Sequence, residues 1–132
     1  MLKNFVICTN DKENMYNITA QVRSFVADSG VCEGIAFIFS PHTTAGITIN
    51  ENADPDVVTD MIFGMDKAYP DRNEFRHAEG NSSAHLKTSA VGTSETVIIH
   101  NGKLLLGIWQ GIYFCEFDGA RNRTFYVKIL EG

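Results

Sequence analysis

The run Gly34-Ile35-Ala36-Phe37-Ile38-Phe39-Ser40 limits the folds open to this chain more than any other stretch. It is apolar at nearly every position and lacks the polar alternation of a half-exposed strand, so it reads as a strand buried on both faces. Such a strand belongs inside a sheet, and the rest of the chain must supply its neighbours and its cover.

Neighbours are plentiful. Residues 2–9 read as a first strand, and the polar cluster 10–14 as a turn before a short extended piece around Met15-Tyr16-Asn17-Ile18. Residues 44–51 form another strand, and 95–100 and 103–107 flank Asn101-Gly102, the strongest short hairpin signal because a type I′ turn needs two residues that tolerate positive φ. Strands over 111–117 and 124–130 follow, joined by 118–123.

Helical periods interrupt the strands three times. Thr19 is a plausible N-cap for a helix with Val22, Phe25 and Val26 on one face and Gly30 as its stop. Asp54 before Pro55 suits an N-cap and first turn, with Val57, Val58, Met61, Ile62 and Met65 as the apolar stripe and an end before Tyr69-Pro70. A short helix over 83–90, stopped by Gly92, places His85 in its first turn. Antiparallel hairpins with two or three helices define an α+β class, and 132 residues without a linker or repeat fit one domain, residues 1–132.

The segment His77-Ala78-Glu79-Gly80-Asn81-Ser82-Ser83-Ala84-His85 does not look like core: it packs two imidazoles, a carboxylate and an amide into nine residues. Of the chain's four histidines, a third, His42, lies in the polar Ser40-Pro41-His42-Thr43-Thr44 just past the central run. Neutral imidazole is the commonest protein metal ligand, and three of them leave a coordination position open, so His42, His77 and His85 are the candidate ligands of a divalent metal, zinc by preference. The spacing of His77 and His85 matches no fixed zinc motif; Glu79 strengthens the reading, because open three-imidazole sites work with a nearby carboxylate that moves protons. His100, at the mouth of the Asn101-Gly102 turn, is read as solvent-facing.

Other polar groups are weighed against plainer roles. Asp54 is a helix cap, but Asn50 and Glu51 are consecutive polar groups at a strand end, where sites often collect. Trp109 and Gln110 stand between Gly107 and Gly111, which would let a ligand approach closely. Arg121 and Arg123 offer a fork of donors for a phosphate.

Composition excludes some classes. A net charge of −5 gives no support to nucleic-acid binding, and 44% hydrophobic with 20% charged residues argues against disorder. Cys8, Cys32 and Cys115 form no Cys-x-x-Cys pair and each has apolar neighbours, so all three read as buried, inert thiols of a reduced, cytoplasmic protein. The apolar start, 1–9, is too short for a signal peptide or membrane span.

Four ordered blocks carry a resemblance over nearly the whole chain: Ser40-Pro41-His42-Thr43-Thr44-Ala45-Gly46, Asn50-Glu51-Asn52-Ala53-Asp54-Pro55, His77 through His85, and residues 102–113. They resemble the signature segments of the YjbQ family, now usually labelled secondary thiamine-phosphate synthase. Some members carry an extra residue between the histidine and glutamate of the third block; here only Ala78 intervenes. The resemblance implies two packed, largely antiparallel sheets with helices outside, a homotrimer, and a polar pocket built from the histidine blocks, which adds Thr43, Thr44 and Asn81 to the candidate substrate contacts. It also implies an activity, the joining of a pyrimidine-methyl diphosphate to a thiazole phosphate with release of diphosphate. Two functional classes are therefore expected: a metal-dependent enzyme acting on a small phosphorylated metabolite, or a non-catalytic metal or small-ligand binding protein.

Overall fold

In the computed structural model, which describes residues 1–132, eight strands and three helices follow one another as β1 (Leu2–Cys8), β2 (Asn14–Asn17), α1 (Thr19–Ser29), β3 (Gly34–Phe39), β4 (Ala45–Glu51), α2 (Pro55–Ala68), α3 (Ser82–Val91), β5 (Ser94–His100), β6 (Lys103–Leu104), β7 (Gln110–Glu116) and β8 (Asn122–Glu131). They build two antiparallel sheets, a five-stranded one in the order β1-β8-β3-β5-β6 and a three-stranded one in the order β2-β7-β4. The fold is α+β.

The sheets pack face to face. Their inner rows, Ala36 and Ile38 of β3, Phe125, Val127 and Ile129 of β8, Ile112 and Phe114 of β7, and Ala45 and Ile47 of β4, merge with Val22, Phe25 and Val26 of α1 into one core. Burying each large side chain contributes about 1.5–3 kcal/mol, so this cluster dominates the favourable side of folding. The other face of the small sheet, Met15, Tyr113 and Cys115, is covered by α2 and α3 through Val58, Met61, Ile62, Met65, Ala84 and Val91.

Local chemistry sets most element ends. Asn101 and Gly102 adopt φ of 52° and 75°, as a type I′ turn requires. The Asp54 carboxylate accepts the Asp56 N–H at 2.9 Å ahead of Pro55, and Gly30 ends α1 in the left-handed region. Thr19 is not the cap of α1 but its first residue. The capping acceptor is Asn17 Oδ1, which takes the Thr19 N–H at 3.0 Å, while Thr19 Oγ1 accepts the Ile112 N–H at 2.8 Å and ties α1 to β7. The strand expected over 103–107 ends at Leu104, because the chain turns where Gln110 Oε1 accepts the Gly107 N–H at 2.8 Å.

Two further expectations are corrected. β3 is not buried on both faces: Gly34, Ala36 and Ile38 are buried, but Ile35 and Phe37 are half-buried and Phe39 is exposed. No helix covers that side, and Ile98 and Leu130 of the flanking strands are exposed beside it, leaving a bare apolar sheet face. Of the three cysteines only Cys115 is buried, its thiol pushed up to about 12 by loss of solvent. Cys8 and Cys32 are exposed, and Cys8 Sγ donates to Asn122 Oδ1. Alternation along β1 turns Cys8 outward, and Cys32 lies in the connection between α1 and β3, so apolar sequence neighbours bury neither. No helix is long and apolar enough to cross a membrane.

β3 and β8 approach so closely that a Cβ at Gly34 would lie 2.1 Å from the Leu130 carbonyl oxygen. Gly34→Ala should therefore cost roughly 1–3 kcal/mol, the usual scale of overpacking, by forcing the two strands apart. Thermal melts would reveal it as a clear loss; an unchanged midpoint would mean that the strands part freely there.

Candidate functional site

At one end of the sandwich the inner rows finish in charge. Continuing the alternation of Ile112 and Phe114 brings Glu116 of β7 into the space between the sheets, and continuing that of Phe125 brings Arg123 of β8 to meet it. The two side chains are 0% and 4% exposed. Arg123 Nε donates to Glu116 Oε1 at 2.8 Å and Nη2 to Oε2, a bidentate pair. Thr9 Oγ1 donates to Glu116 Oε1 at 2.7 Å and the Asp118 N–H to Oε2 at 3.1 Å, while Arg123 Nη2 also reaches Thr44 Oγ1 at 2.8 Å. Burial would raise the Glu116 carboxyl, but the hydrogen bonds from Arg123, Thr9 and the Asp118 amide outweigh it and hold the group below its ordinary range.

Above this pair opens a cleft of about 410 Å³ with no hydrophobic residue in its wall. His42, Thr43 and Thr44 come from the β3–β4 turn, His77 and Glu79 from the loop before α3, Asn81 and His85 from the start of α3, and Arg121 and Arg123 from the β7–β8 connection and the start of β8. All three sequence-selected histidines thus face one space. The His77 and His85 rings meet edge to face, with centroids 5.3 Å apart.

His42 is held differently. Past Phe39, which pairs with Tyr126, β8 has no further β3 partner, and His42 Nε2 takes that place beside the Thr124 backbone. It lies 3.0 Å from the amide nitrogen, whose N–H it accepts when unprotonated, and 3.1 Å from the carbonyl oxygen, to which it donates when protonated. Burial, and then the positive charge of Arg123, push its pKa below the usual imidazole value, so the ring is neutral at pH 7.

His42, His77 and His85 are the residues of this cleft that could hold a divalent metal. Three imidazoles on one polar cleft, one of them held neutral, have the chemistry of zinc ligands, and Nδ1 is the His42 nitrogen left free by Thr124. As the side chains stand, no three His, Cys, Asp or Glu groups form a metal-holding cluster, so the ligands fit in kind while their rings are not gathered around one point.

The remaining selected residues divide. Arg123 is not a free phosphate fork: Nε and Nη2 are committed to Glu116 and Thr44, leaving it as a fixed positive charge in the wall. Arg121 is half-exposed, with Nη2 donating to Asp118 Oδ2 at 3.0 Å, and Asn81 Nδ2 donates to the same oxygen at 2.9 Å. Asn50, Glu51, Trp109 and Gln110 line a different, shallow depression. The reason is register: β4 pairs Ala45 with Glu116 at the cleft end and Glu51 with Gln110 at the other, and the rise of ~3.3 Å per residue from Ala45 to Glu51 separates the two ends by roughly 20 Å. Glu116 and Asp118, which organise the floor, are the residues that motif reading misses. The available signal is a lone carboxylate in the otherwise apolar run Ile112-Tyr113-Phe114-Cys115-Glu116-Phe117.

Comparison with known proteins bears on the fold and the family. The family profile described as UPF0047 protein YjbQ-like matches residues 3–132. The chain is 55% identical over 131 residues to the UPF0047 protein YugU of Bacillus subtilis, covering 98% of this chain and 99% of that protein, and 55% identical over 130 residues to the UPF0047 protein MJ1081 of Methanocaldococcus jannaschii, covering 98% and 94%. A crystal structure of a YjbQ/UPF0047-family protein from Clostridium acetobutylicum superposes with a TM-score of 0.95 at 52% identity, over 97% of this chain and 99% of that one.

Removing one partner of a buried ion pair strands the other, so Arg123→Met should destabilise by about 3–5 kcal/mol, measurable by denaturant unfolding. The pH dependence follows from the depressed Glu116 carboxyl: its contribution is fully present above the ordinary value of 4.5 and is lost as pH falls through the lower folded value. Wild-type stability should therefore drop as acid is added below about pH 4.5. That drop should be weaker in Glu116→Gln, and an identical slope in both proteins would assign the acid sensitivity elsewhere.

Proposed function

The chain belongs to the UPF0047 YjbQ-like family, and on that premise we propose that it is a metal-dependent enzyme acting on a small phosphorylated substrate. The finer form of the reading is thiamine-phosphate synthase chemistry, in which a pyrimidine-methyl diphosphate is joined to a thiazole phosphate and diphosphate leaves. The observation that carries it is the composition of one cleft: three imidazoles, a carboxylate and two guanidinium groups, from three separate chain segments, around a space lined by no hydrophobic residue.

In this reading His42, His77 and His85 hold a divalent metal, zinc by preference. When bound, the metal supplies positive charge that draws electron density from a phosphoryl oxygen. Arg121 brings a half-exposed guanidinium to the rim, where an anionic ester can compete with Asp118 for it, while Arg123 stays committed to Glu116, whose carboxylate offsets its charge. Asn81, with Thr43 and Thr44, supplies neutral hydrogen-bonding groups that orient the ester. Glu79, exposed in the same wall, takes or returns a proton.

The test is a screen of phosphorylated metabolites, including the pyrimidine diphosphate and thiazole phosphate pair, with and without added zinc, followed by Glu79→Gln and His85→Ala on whichever substrate turns over. His85→Ala should weaken zinc uptake. Glu79→Gln should still bind zinc but lose about 10²–10⁴-fold in turnover, the usual contribution of a positioned acid or base. Full turnover by Glu79→Gln would remove its catalytic role, and zinc uptake without turnover of any phosphate ester would move the protein to the class of binding proteins.

The same reading makes the protein a homotrimer, supported by the bare apolar face of the five-stranded sheet, which a lone subunit leaves in water. Sedimentation equilibrium at micromolar concentration should give three chains, and Ile98→Lys, on that face, should shift the mass toward one. A stable wild-type monomer would contradict the proposal.

A further inference from the structure

β8 has a place beside the cleft that no strand fills, and His42 fills it with a side chain. Even-numbered residues of β8 turn their backbone groups toward β3: Gly132, just past its end, donates to the Glu33 carbonyl, whereas Ile129 donates to Met1 on the other side. Thr124 belongs to the set facing β3, and the register that pairs Phe39 with Tyr126 would set Pro41 against it. Proline has no N–H to give, and β3 has already ended at Phe39. The Thr124 N–H and carbonyl therefore meet a single atom, His42 Nε2, at 3.0 and 3.1 Å.

One nitrogen cannot serve both at once. With its lone pair, Nε2 accepts the amide N–H and leaves the carbonyl facing another acceptor. With a proton, it donates to the carbonyl and leaves the amide facing another donor. The two arrangements are unequal, because a carbonyl has two lone pairs and tolerates an unmet one, while stranded N–H groups are rare in folded proteins. The half-buried Thr124 backbone thus selects the unprotonated Nε2, and in a neutral ring that puts the proton on Nδ1. Nδ1 has no partner in the protein and is not sealed from solvent, on a side chain that lines the cleft.

We infer that His42 offers the cleft an Nδ1–H donor for an oxygen of an anionic ligand, and that the Thr124 backbone holds it in this form. The inference rests on the phosphorylated-substrate reading and assigns one contact to a phosphate oxygen within it. Nδ1 becomes a metal ligand only when its proton leaves and Nε2 takes one up, which turns the Nε2–H onto the Thr124 carbonyl and strands the amide. Anion and metal are therefore alternatives at this ring.

The test locates the proton directly, by long-range proton–nitrogen NMR of the imidazole rings in the isotope-labelled, metal-free full chain at neutral pH, with His42 assigned by its absence from His42→Gln. His42 should show a protonated Nδ1 and an unprotonated Nε2, the reverse of the form that a free histidine side chain favours. An Nε2–H ring in metal-free protein would overturn the inference whatever the cleft binds. Inorganic phosphate should move the His42 Nδ1 signal and leave its proton in place, and zinc should convert the ring to the Nε2–H form. Zinc uptake with His42 still in the Nδ1–H form would overturn the exchange. A phosphate response at Arg121 or His85 that leaves His42 unmoved would overturn the donor role and keep the phosphate reading; no response in the cleft would overturn both. His42→Gln carries an amide oxygen that reaches the Thr124 N–H but no donor at the Nδ1 position. Its melting point should stay near wild type while phosphate binding weakens roughly tenfold, the worth of one hydrogen bond to a charged group. Wild-type phosphate affinity in that variant would likewise overturn the donor role.

Discussion

The buried pair of Glu116 and Arg123 is the interaction on which the end of the sandwich depends. It joins the two sheets, since Glu116 belongs to β7 and Arg123 to β8, and it gathers Thr9 from the end of β1 and Thr44 from the start of β4. An apolar pair of the same volume would hold the sheets at least as firmly, because desolvating two charges consumes much of what their attraction returns. What an apolar pair could not do is hand polar contacts onward. From Glu116 the contacts run through the Asp118 N–H, and from the Asp118 carboxylate to Asn81 and Arg121 in the cleft wall. The rim is thereby positioned from the core.

The same pair governs the charge state above it. The positive charge of Arg123 adds to burial in keeping His42 neutral, and the His42 ring replaces a strand at the point where β3 stops pairing with β8. One imidazole thus satisfies a sheet edge with one nitrogen and leaves the other available. His85 is carried by α3, an element braced in a different way. Lys87 on α3 is 1% exposed and donates to Glu13 in the β1–β2 connection and to Asp66 on α2, so burial, which would lower its pKa, is outweighed by the two carboxylates and the ammonium stays charged. α3 cannot slide without stranding that charge.

Much of this architecture is legible in the sequence, and the exceptions have identifiable causes. Asn101-Gly102, Asp54-Pro55 and Gly30 act through their own backbone preferences, so they mark a hairpin, a helix start and a helix end regardless of context. That His42, His77 and His85 lie outside the core is legible from the polar blocks that carry them; that they line one cleft comes from the topology, and their rings are not gathered around one point. The covering of β3 is not a local property: an apolar run states that both faces avoid water, but not whether this chain or another supplies the second cover. Asn50, Glu51, Trp109 and Gln110 were separated from the histidines by strand direction. A polar cluster at a strand end is recognisable as such, but which end of the sandwich it occupies is decided only by pairing with β7. Glu116 was hidden by its apolar neighbours, since alternation assigns it a face and says nothing of the cation waiting there.

The chain carries −5, and the two guanidinium groups in the histidine cleft are each paired with a carboxylate, Arg121 with Asp118 and Arg123 with Glu116. A neighbouring cleft of about 420 Å³ shares Glu79 and Asn81 with it and is lined by Glu13, Asp66, Asp71 and Asp118, with Lys12 as its only cation. The two clefts share Glu79 and Asn81, so an anion in the histidine cleft also senses the carboxylates of its neighbour. Glu79 stands in the wall they share. Its carboxylate belongs electrostatically to the acidic side and chemically to the imidazole side, and an anion seated beside Arg121 would press its negative charge against that carboxylate.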